Sequence, residues 1–489
     1  MIPLTLINLR RRMLYMKHKF YRLDNVWRII IIALLLMFLW IWVWNSSRME
    51  RRAPYVIPKS IQQHLTHYCN FPVRTSGAEG SLSLEDLEHS KRFRLEMVHV
   101  LIRHGDRSPA KDIANMDHKN YDYDCTFKTA DRDHKQMFEE FKQTSMYFKL
   151  REFVKGVRTS QSLVPSGKKC EIGQLTQRGF LQHFEIGKHM REVYHDFLGD
   201  DITGGNLLLR STERTRCIQS AAAFLFGLLT KDTIMREGIA INLTSDIWLR
   251  EDDHGVPYKC PSFYQRWAEY KQRQEYITGA AEMEPFMQKY SQILGTSRSS
   301  ITTVIFLTDA ILTRYCYKHP LPCGPGGCVT QEMAADGINF GSWAFAENFT
   351  AIADVATHPM LIQMAKRMID KSRDKTKLKF ILYSAHDSTV TPLLLNLGVH
   401  DRNKWTPYAT RVVIELWRDT TSSASSEDSI ESLYFRVLVN GKAVTSKMKF
   451  CGEALFKGEL CPVRELITWL SAGKGVKGMD ENYQSLCNT

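Results

Sequence analysis

No segment repeats at a fixed period, which sets solenoid and propeller architectures aside. Gly and Pro are sparse, 28 and 16 among 489 residues, so the chain is neither collagen-like nor low-complexity. Acidic residues are outnumbered, 53 against 65 Lys and Arg, and a net charge of +12 raises the question of a nucleic-acid partner. The position of the excess answers it. Arg10, Arg11, Arg12, Lys17, Lys19, Arg22 and Arg28 against Asp24 put +6 into the first 44 residues, and the other +6 is spread thinly over the rest. No nucleic-acid partner is expected. With 44% hydrophobic and 24% charged residues, the chain can bury a sizeable core and is not a disordered protein.

Long apolar runs are absent except for one. Ile29 to Trp44 is uninterrupted, and with Val26, Trp27 and the snorkelling stem of Arg28 it reaches bilayer length. It lacks a small-residue cleavage site, so an uncleaved signal anchor over 26–44 is expected. The basic cluster before it holds 1–25 in the cytosol and sends the remainder into the lumen, a single-pass type II arrangement. No cysteine precedes Cys69; all 11 fall on the lumenal side, where disulfides persist. Cys316, Cys323 and Cys328 cluster at a Gly- and Pro-rich turn, and Cys451 and Cys461 flank another short loop; spacing does not fix the pairing. No zinc-type spacing completes the cluster. Asn242 and Asn348 begin sequons that such a compartment would glycosylate where exposed.

Residues 45–92, with Pro54, Pro58, Pro72 and a Gly- and Ser-rich stretch, read as a stem. From Phe93 short apolar runs alternate with amphipathic stretches, the pattern of an α/β domain. Strands are expected at Leu95–Ile102, Leu207–Leu209, Leu378–Tyr383, Thr410–Trp417 and Leu433–Val439. Thr176 reads as the N-cap of a helix running to about Phe197, burying Phe180, Phe184, Val193 and Phe197. The core is expected over 93–230 and 376–489, with a mostly helical insertion over 231–375. Thr421–Ser429 reads as a loop between two strands.

Three strand-like runs end in chemistry. The first gives way to Arg103-His104-Gly105-Asp106-Arg107-Ser108-Pro109, the second to Arg210-Ser211-Thr212, the third to Ser384-Ala385-His386-Asp387. The carboxyl edge of an open α/β sheet is where ligands bind, so neighbouring parallel strands would bring all three motifs into one pocket. Arg103, Arg107 and Arg210 offer planar donor forks suited to phosphate oxygens. That much fixed positive charge implies phosphoryl transfer without a metal, and no carboxylate cluster suited to Mg²⁺ is apparent; no cofactor is expected. A neutral imidazole attacks phosphorus, and His104 is the expected nucleophile. Asp387 is the expected acid for the leaving alcohol, with His386 a further phosphate ligand. Five fixed residues in Arg-His-Gly-x-Arg-x-Pro should arise by chance on the order of once in ten thousand chains of this length.

These segments, with Arg216 after Arg210-Ser211-Thr212, Tyr383 to Val390, and Gly173-Gln174-Leu175-Thr176 with Gly179, resemble the signatures of the histidine acid phosphatase family over roughly residues 93–487. The resemblance implies an α/β fold, a histidine-phosphatase-like sandwich with a central mixed sheet flanked by helices and a mostly helical insertion. It implies a phosphohistidine at His104, proton donation by Asp387, and a phosphate held by Arg103, Arg107, Arg210 and His386. Two departures stand out: Glu213 where the family usually has Asp, and Cys217 where Thr commonly follows. Cys217 is therefore the expected unpaired cysteine. Within the family, the amino-terminal anchor and the segments Tyr383–Gly398 and Ala409–Trp417 resemble a Golgi-membrane member acting on the phosphorylated xylose of the proteoglycan linkage region. That resemblance implies a phosphorylated glycan of proteoglycans as substrate, with inositol or lipid phosphates as the alternative. Type II topology with Asp122-Tyr123-Asp124 keeps a metal-dependent glycosyltransferase as a rival, and a catalytically silent binding module is the third reading.

Overall fold

The computed structural model describes residues 59–82 and 92–488, apart from 118–122, 166–169, 302, 422–429, 458 and 200–201, with scattered residues between 25 and 40. The expected anchor, the loop at 421–429 and Asp122 lie largely or wholly outside the described residues. Among the described residues no helix is long and apolar enough to cross a membrane. The chain divides into units 1–56 and 57–489, and the second is described below.

A nine-stranded mixed sheet organises this unit. Its strands are β1 (Phe93–Arg103), β2 (Lys149–Glu152), β3 (Leu207–Thr212), β4 (Ala240–Thr244), β5 (Phe380–Ala385), β6 (Arg411–Asp419), β7 (Leu433–Val439), β8 (Lys442–Ala443) and β9 (Cys461–Pro462). The order is β8-β7-β6-β1-β5-β3-β4-β2, with β9 against β7. β1, β5, β3, β4 and β2 run parallel, while β6 enters antiparallel beside β1. All five strands expected from the sequence are present. β4 belongs to this sheet, so the core continues past residue 230.

Both faces are covered, and the strands alternate accordingly. Val98, Val100 and Ile102 of β1, with Phe380 and Leu382 of β5, pack on one layer. That layer contains the helices α3 (Gln177–Val193) and α4 (Thr215–Leu228). Met97, Leu101, Ile381 and Tyr383 pack on the other. There the helices are α9 (Ala353–Ser372), α10 (Asp387–Asn396), α11 (Val463–Leu470) and α12 (Gly475–Asn488). A third cluster joins α7 (Ile305–Cys316) and α8 (Gln331–Thr350) to α1 (Lys59–Cys69). Two further helices, α5 (Phe263–Tyr270) and α6 (Gln274–Ile293), precede α7, and α2 (Arg132–Ser145) lies on the β1–β2 connection. As expected, Thr176 caps α3, its side chain accepting from Gly179 N. The helix stops at Val193, short of the expected Phe197, and one separate turn follows at His195–Leu198.

Residues 59–82, read from the sequence as stem, are folded onto the domain. Cys69 bonds Cys316, and Gln182 Nε2 donates to the carbonyls of Cys69 and Asn70. Glu79, 2% exposed, pairs with Arg411 at 2.7 Å and contacts His189 Nε2. Glu415 accepts from Gly80 N, Tyr194 Oη and Arg436. Low apolar content hid this, because the segment is fixed by a disulfide and buried ion pairs.

Five disulfides are formed: Cys69–Cys316, Cys125–Cys170, Cys260–Cys487, Cys323–Cys328 and Cys451–Cys461. Cys217 is free and buried, as the resemblance implied. The sequon at Asn242 falls in β4, whose backbone is hydrogen-bonded on both sides, and its Thr244 is fully buried. Asn242 itself is half-buried. Asn348 is half-buried in the last turn of α8.

Burial alone would push the Glu79 carboxyl up, but His189 and Arg411 overcome it and hold it at about 2. Its folded value lies below the unfolded one, so its contribution is complete above about pH 4.5 and is lost as pH falls toward 2. The shift is worth roughly 3 kcal/mol. Urea unfolding at pH 7, 5 and 3 should show Glu79→Gln destabilised at pH 7 and less sensitive to acid than the parent; parallel losses would contradict this.

Candidate active site

The parallel strands end level with one another. Arg103 pairs with Ala385, and Ser211 with Ser384, so the residues that follow β1, β3 and β5 emerge along one edge. His104 leaves β1 with its N–H bonded to the Ala385 carbonyl. The loop then turns against the start of α3. A Cβ on Gly105 would stand 2.3 Å from the Gly179 carbonyl, and one on Gly179 2.2 Å from that of Asp106. Both positions therefore require glycine. Buried Asp106 anchors the turn, accepting from Thr176 Oγ1 and Tyr317 Oη. The segment Gly173 to Gly179 thus serves to seat the first motif.

His104 is 1% exposed, and its Nδ1 lies 2.8 Å from the Gly105 carbonyl. That oxygen can only accept, so Nδ1 carries the proton and Nε2 keeps its lone pair. Burial lowers the imidazole well below its usual value, and Arg216, Arg103 and Arg107 lower it further. The ring is neutral at ordinary pH. His386 stands with its ring centroid 5.7 Å from that of His104. Its Nε2 lies 2.9 Å from Thr212 Oγ1 and its Nδ1 3.4 Å from Arg216 Nη2. Burial and Arg216 hold it neutral as well.

Arg103 is wholly buried, paired with Asp387 Oδ2 at 2.8 Å and lying over the Tyr408 ring. Arg107 makes a double contact with Asp309 of α7, at 2.8 and 3.2 Å. Asp387 opens α10 and also accepts from Trp405 Nε1 at 2.9 Å. Burial works against its charge, but Arg103 and Arg107 prevail and keep the carboxyl below its ordinary value. The Nε–H groups of Arg103, Arg107 and Arg216 are buried and lack partners among the described residues, as does that of Arg210.

Arg210 itself is elsewhere. Leu207 and Leu209 pack on the α3 and α4 layer, so Arg210, alternating with them, faces the opposite layer two residues below the edge. There it pairs with Glu251 at 2.5 Å and stacks on Phe153. The arginine beside the imidazoles is Arg216, in the first turn of α4, which corrects the expected ligand set. Arg216 follows Arg210-Ser211-Thr212 in the same motif, and the strand's alternation decides between the two. Tyr68, Asp309, Trp405 and Tyr408 also line the cluster, and no motif signals them. Of the Asp122-Tyr123-Asp124 triplet, Asp124 Oδ1 closes a local turn by accepting from Thr126 N and Oγ1.

The histidine phosphatase superfamily (branch 2) matches residues 94–309 and 346–440. The chain is 27% identical to 2-phosphoxylose phosphatase 1 of Xenopus tropicalis over 86% of its own length and 81% of that protein. To the Homo sapiens protein of the same name it is 28% identical, over 86% and 85%. Lysosomal acid phosphatase of Bos taurus is 28% identical over 54% of this chain and 63% of its own. The apo phytase of Hafnia alvei shares the fold, with a TM-score of 0.50 at 15% identity, covering 81% of this chain and 98% of that one. The chain thus belongs to branch 2 of the histidine phosphatase superfamily and is an acid phosphatase-type phosphoric monoester hydrolase.

Proposed function

We propose that this enzyme removes the 2-phosphate from a xylose residue of a proteoglycan glycan, through a phosphohistidine on His104. The observation that carries the reading is the neutral His104 ring, with Nδ1 fixed on the Gly105 carbonyl and three guanidinium groups around it. Nε2 attacks phosphorus and the bond to the sugar oxygen breaks. Asp387 delivers a proton to that oxygen. In the resting site Arg103 keeps Asp387 ionised; a bound phosphoryl dianion competes for Arg103 and adds negative charge beside the carboxyl, raising it toward protonation. Water then attacks the phosphohistidine, Asp387 takes its proton, and inorganic phosphate leaves. Arg103, Arg107 and Arg216 stabilise the equatorial oxygens throughout, and His386 adds a neutral donor.

The names of the relatives support the xylose substrate. The five disulfides and the apolar run at 26–44 support a Golgi membrane enzyme with its catalytic part in the lumen.

The direct test is incubation of the purified protein with a 2-phosphoxylose oligosaccharide, inositol phosphates and lipid phosphates. Phosphate release is expected from the first, and His104→Ala should release none; preferential turnover of an inositol or lipid phosphate would replace the substrate assignment. Arg216→Met should lower kcat by about 10²- to 10³-fold. Arg210→Met should instead act on stability, by roughly 3 to 5 kcal/mol, since it strands buried Glu251. The reverse pattern in kinetics and thermal unfolding would return Arg210 to the phosphate. Asp387→Asn should slow sugar phosphates far more than 4-nitrophenyl phosphate, whose leaving group needs no proton; equal losses would remove the acid role.

A further inference from the structure

Beside Arg216 a cavity of about 270 Å³ opens between the start of α4 and the segments 162–165 and 171–174. Among the described residues its charged lining is Arg214, Arg216 and Glu171. The floor is held in place: Thr215 Oγ1 donates to Gln161 Oε1, Gln161 Nε2 to the Glu213 carbonyl, and Gln219 Nε2 to the Ser162 carbonyl. Of the guanidinium groups around the imidazoles, Arg103 is paired with Asp387 and Arg107 with Asp309. Arg214 is exposed, and among the described residues its side chain makes no ion pair and no hydrogen bond. Its charge nevertheless reaches His386 and Arg216. A long cationic side chain left unpaired two residues from a phosphate ligand, at the rim of a cavity continuous with that ligand, is placed to meet substrate.

We propose that Arg214 and this cavity form a subsite for a second anionic group on the substrate, a carboxylate or ester sulfate next to the phosphorylated position. The proposal deepens the phosphosugar reading and rests on its phosphate site. The charge balance selects the class. Arg216 is committed to the scissile phosphate, which leaves, among the described lining residues, the single positive charge of Arg214 with the carboxylate of Glu171. That balance suits a monoanion held by the two-pronged guanidinium and does not offset a second phosphoryl dianion. Glu171, in the same lining, repels misplaced anions, so discrimination has a repulsive as well as an attractive element. The expected substrates are sugar phosphates whose glycan also carries an acid group.

The test uses matched, non-hydrolysable probes on the purified full-length protein. Methylphosphonate and phosphonoacetate differ only in a carboxylate, and phosphonopropionate and phosphonobutyrate extend the reach. Calorimetric titration should show at least one of the carboxylates binding ten-fold or more tighter than methylphosphonate. Arg214→Gln should bring that ratio to about one, and Arg214→Glu should make the carboxylates the weaker ligands. Methylphosphonate binding with no carboxylate preference, or a preference that survives both substitutions, would overturn the subsite and leave the phosphate site standing. Failure of all the phosphonates to bind would overturn the phosphate site and the subsite with it.

Discussion

Burying like charges around one ring is the constraint on which the rest depends. Arg103, Arg107 and Arg216 each depress His104, which keeps the ring neutral and its lone pair available in acid as well as at neutrality. Such a cluster is unfavourable unless acids compensate it at fixed distances. Asp387 does so for Arg103 and Asp309 for Arg107. Among the described residues Arg216 has no ion pair and leans on the His386 ring instead. Among the described residues the resting site is therefore short of one negative charge, and a phosphoryl group supplies it.

Holding those charges still is the work of elements remote in sequence. Asp309 comes from α7, within the helical region between β4 and β5, so that region completes the electrostatics of the site as well as covering it. Phe345 of α8 stacks on Trp405, which donates to Asp387. Tyr68 is delivered by α1, whose end is bonded through Cys69 to Cys316 of α7. Arg210, misplaced as a phosphate ligand, ties β3 to Glu251, and the same loop accepts from Thr389 of α10 at the Ile247 carbonyl. Thr389 Oγ1 in turn accepts from the His386 N–H. The two arginines of one motif thus divide the labour: Arg216 faces the imidazoles while Arg210 braces the loop behind them.

Sequence by itself determined the strands, because alternation and apolar runs are local properties, and β7 falls at the expected Leu433–Val439. It also located His104, His386 and Asp387 at one sheet edge, since each follows a strand's end within two residues and such ends lie together in a parallel sheet. Cys217 as the odd thiol was likewise legible, from a single departure in a motif. What only the tertiary structure decided were matters of side and partner. Which of Arg210 and Arg216 meets the ring depends on the face a strand turns and on where the next helix begins. Whether residues 59–82 are stem or domain depends on a disulfide and on ion pairs formed with residues more than two hundred positions away. Those contacts leave no period in the sequence, because a long-range pair constrains two points of the chain and nothing between them.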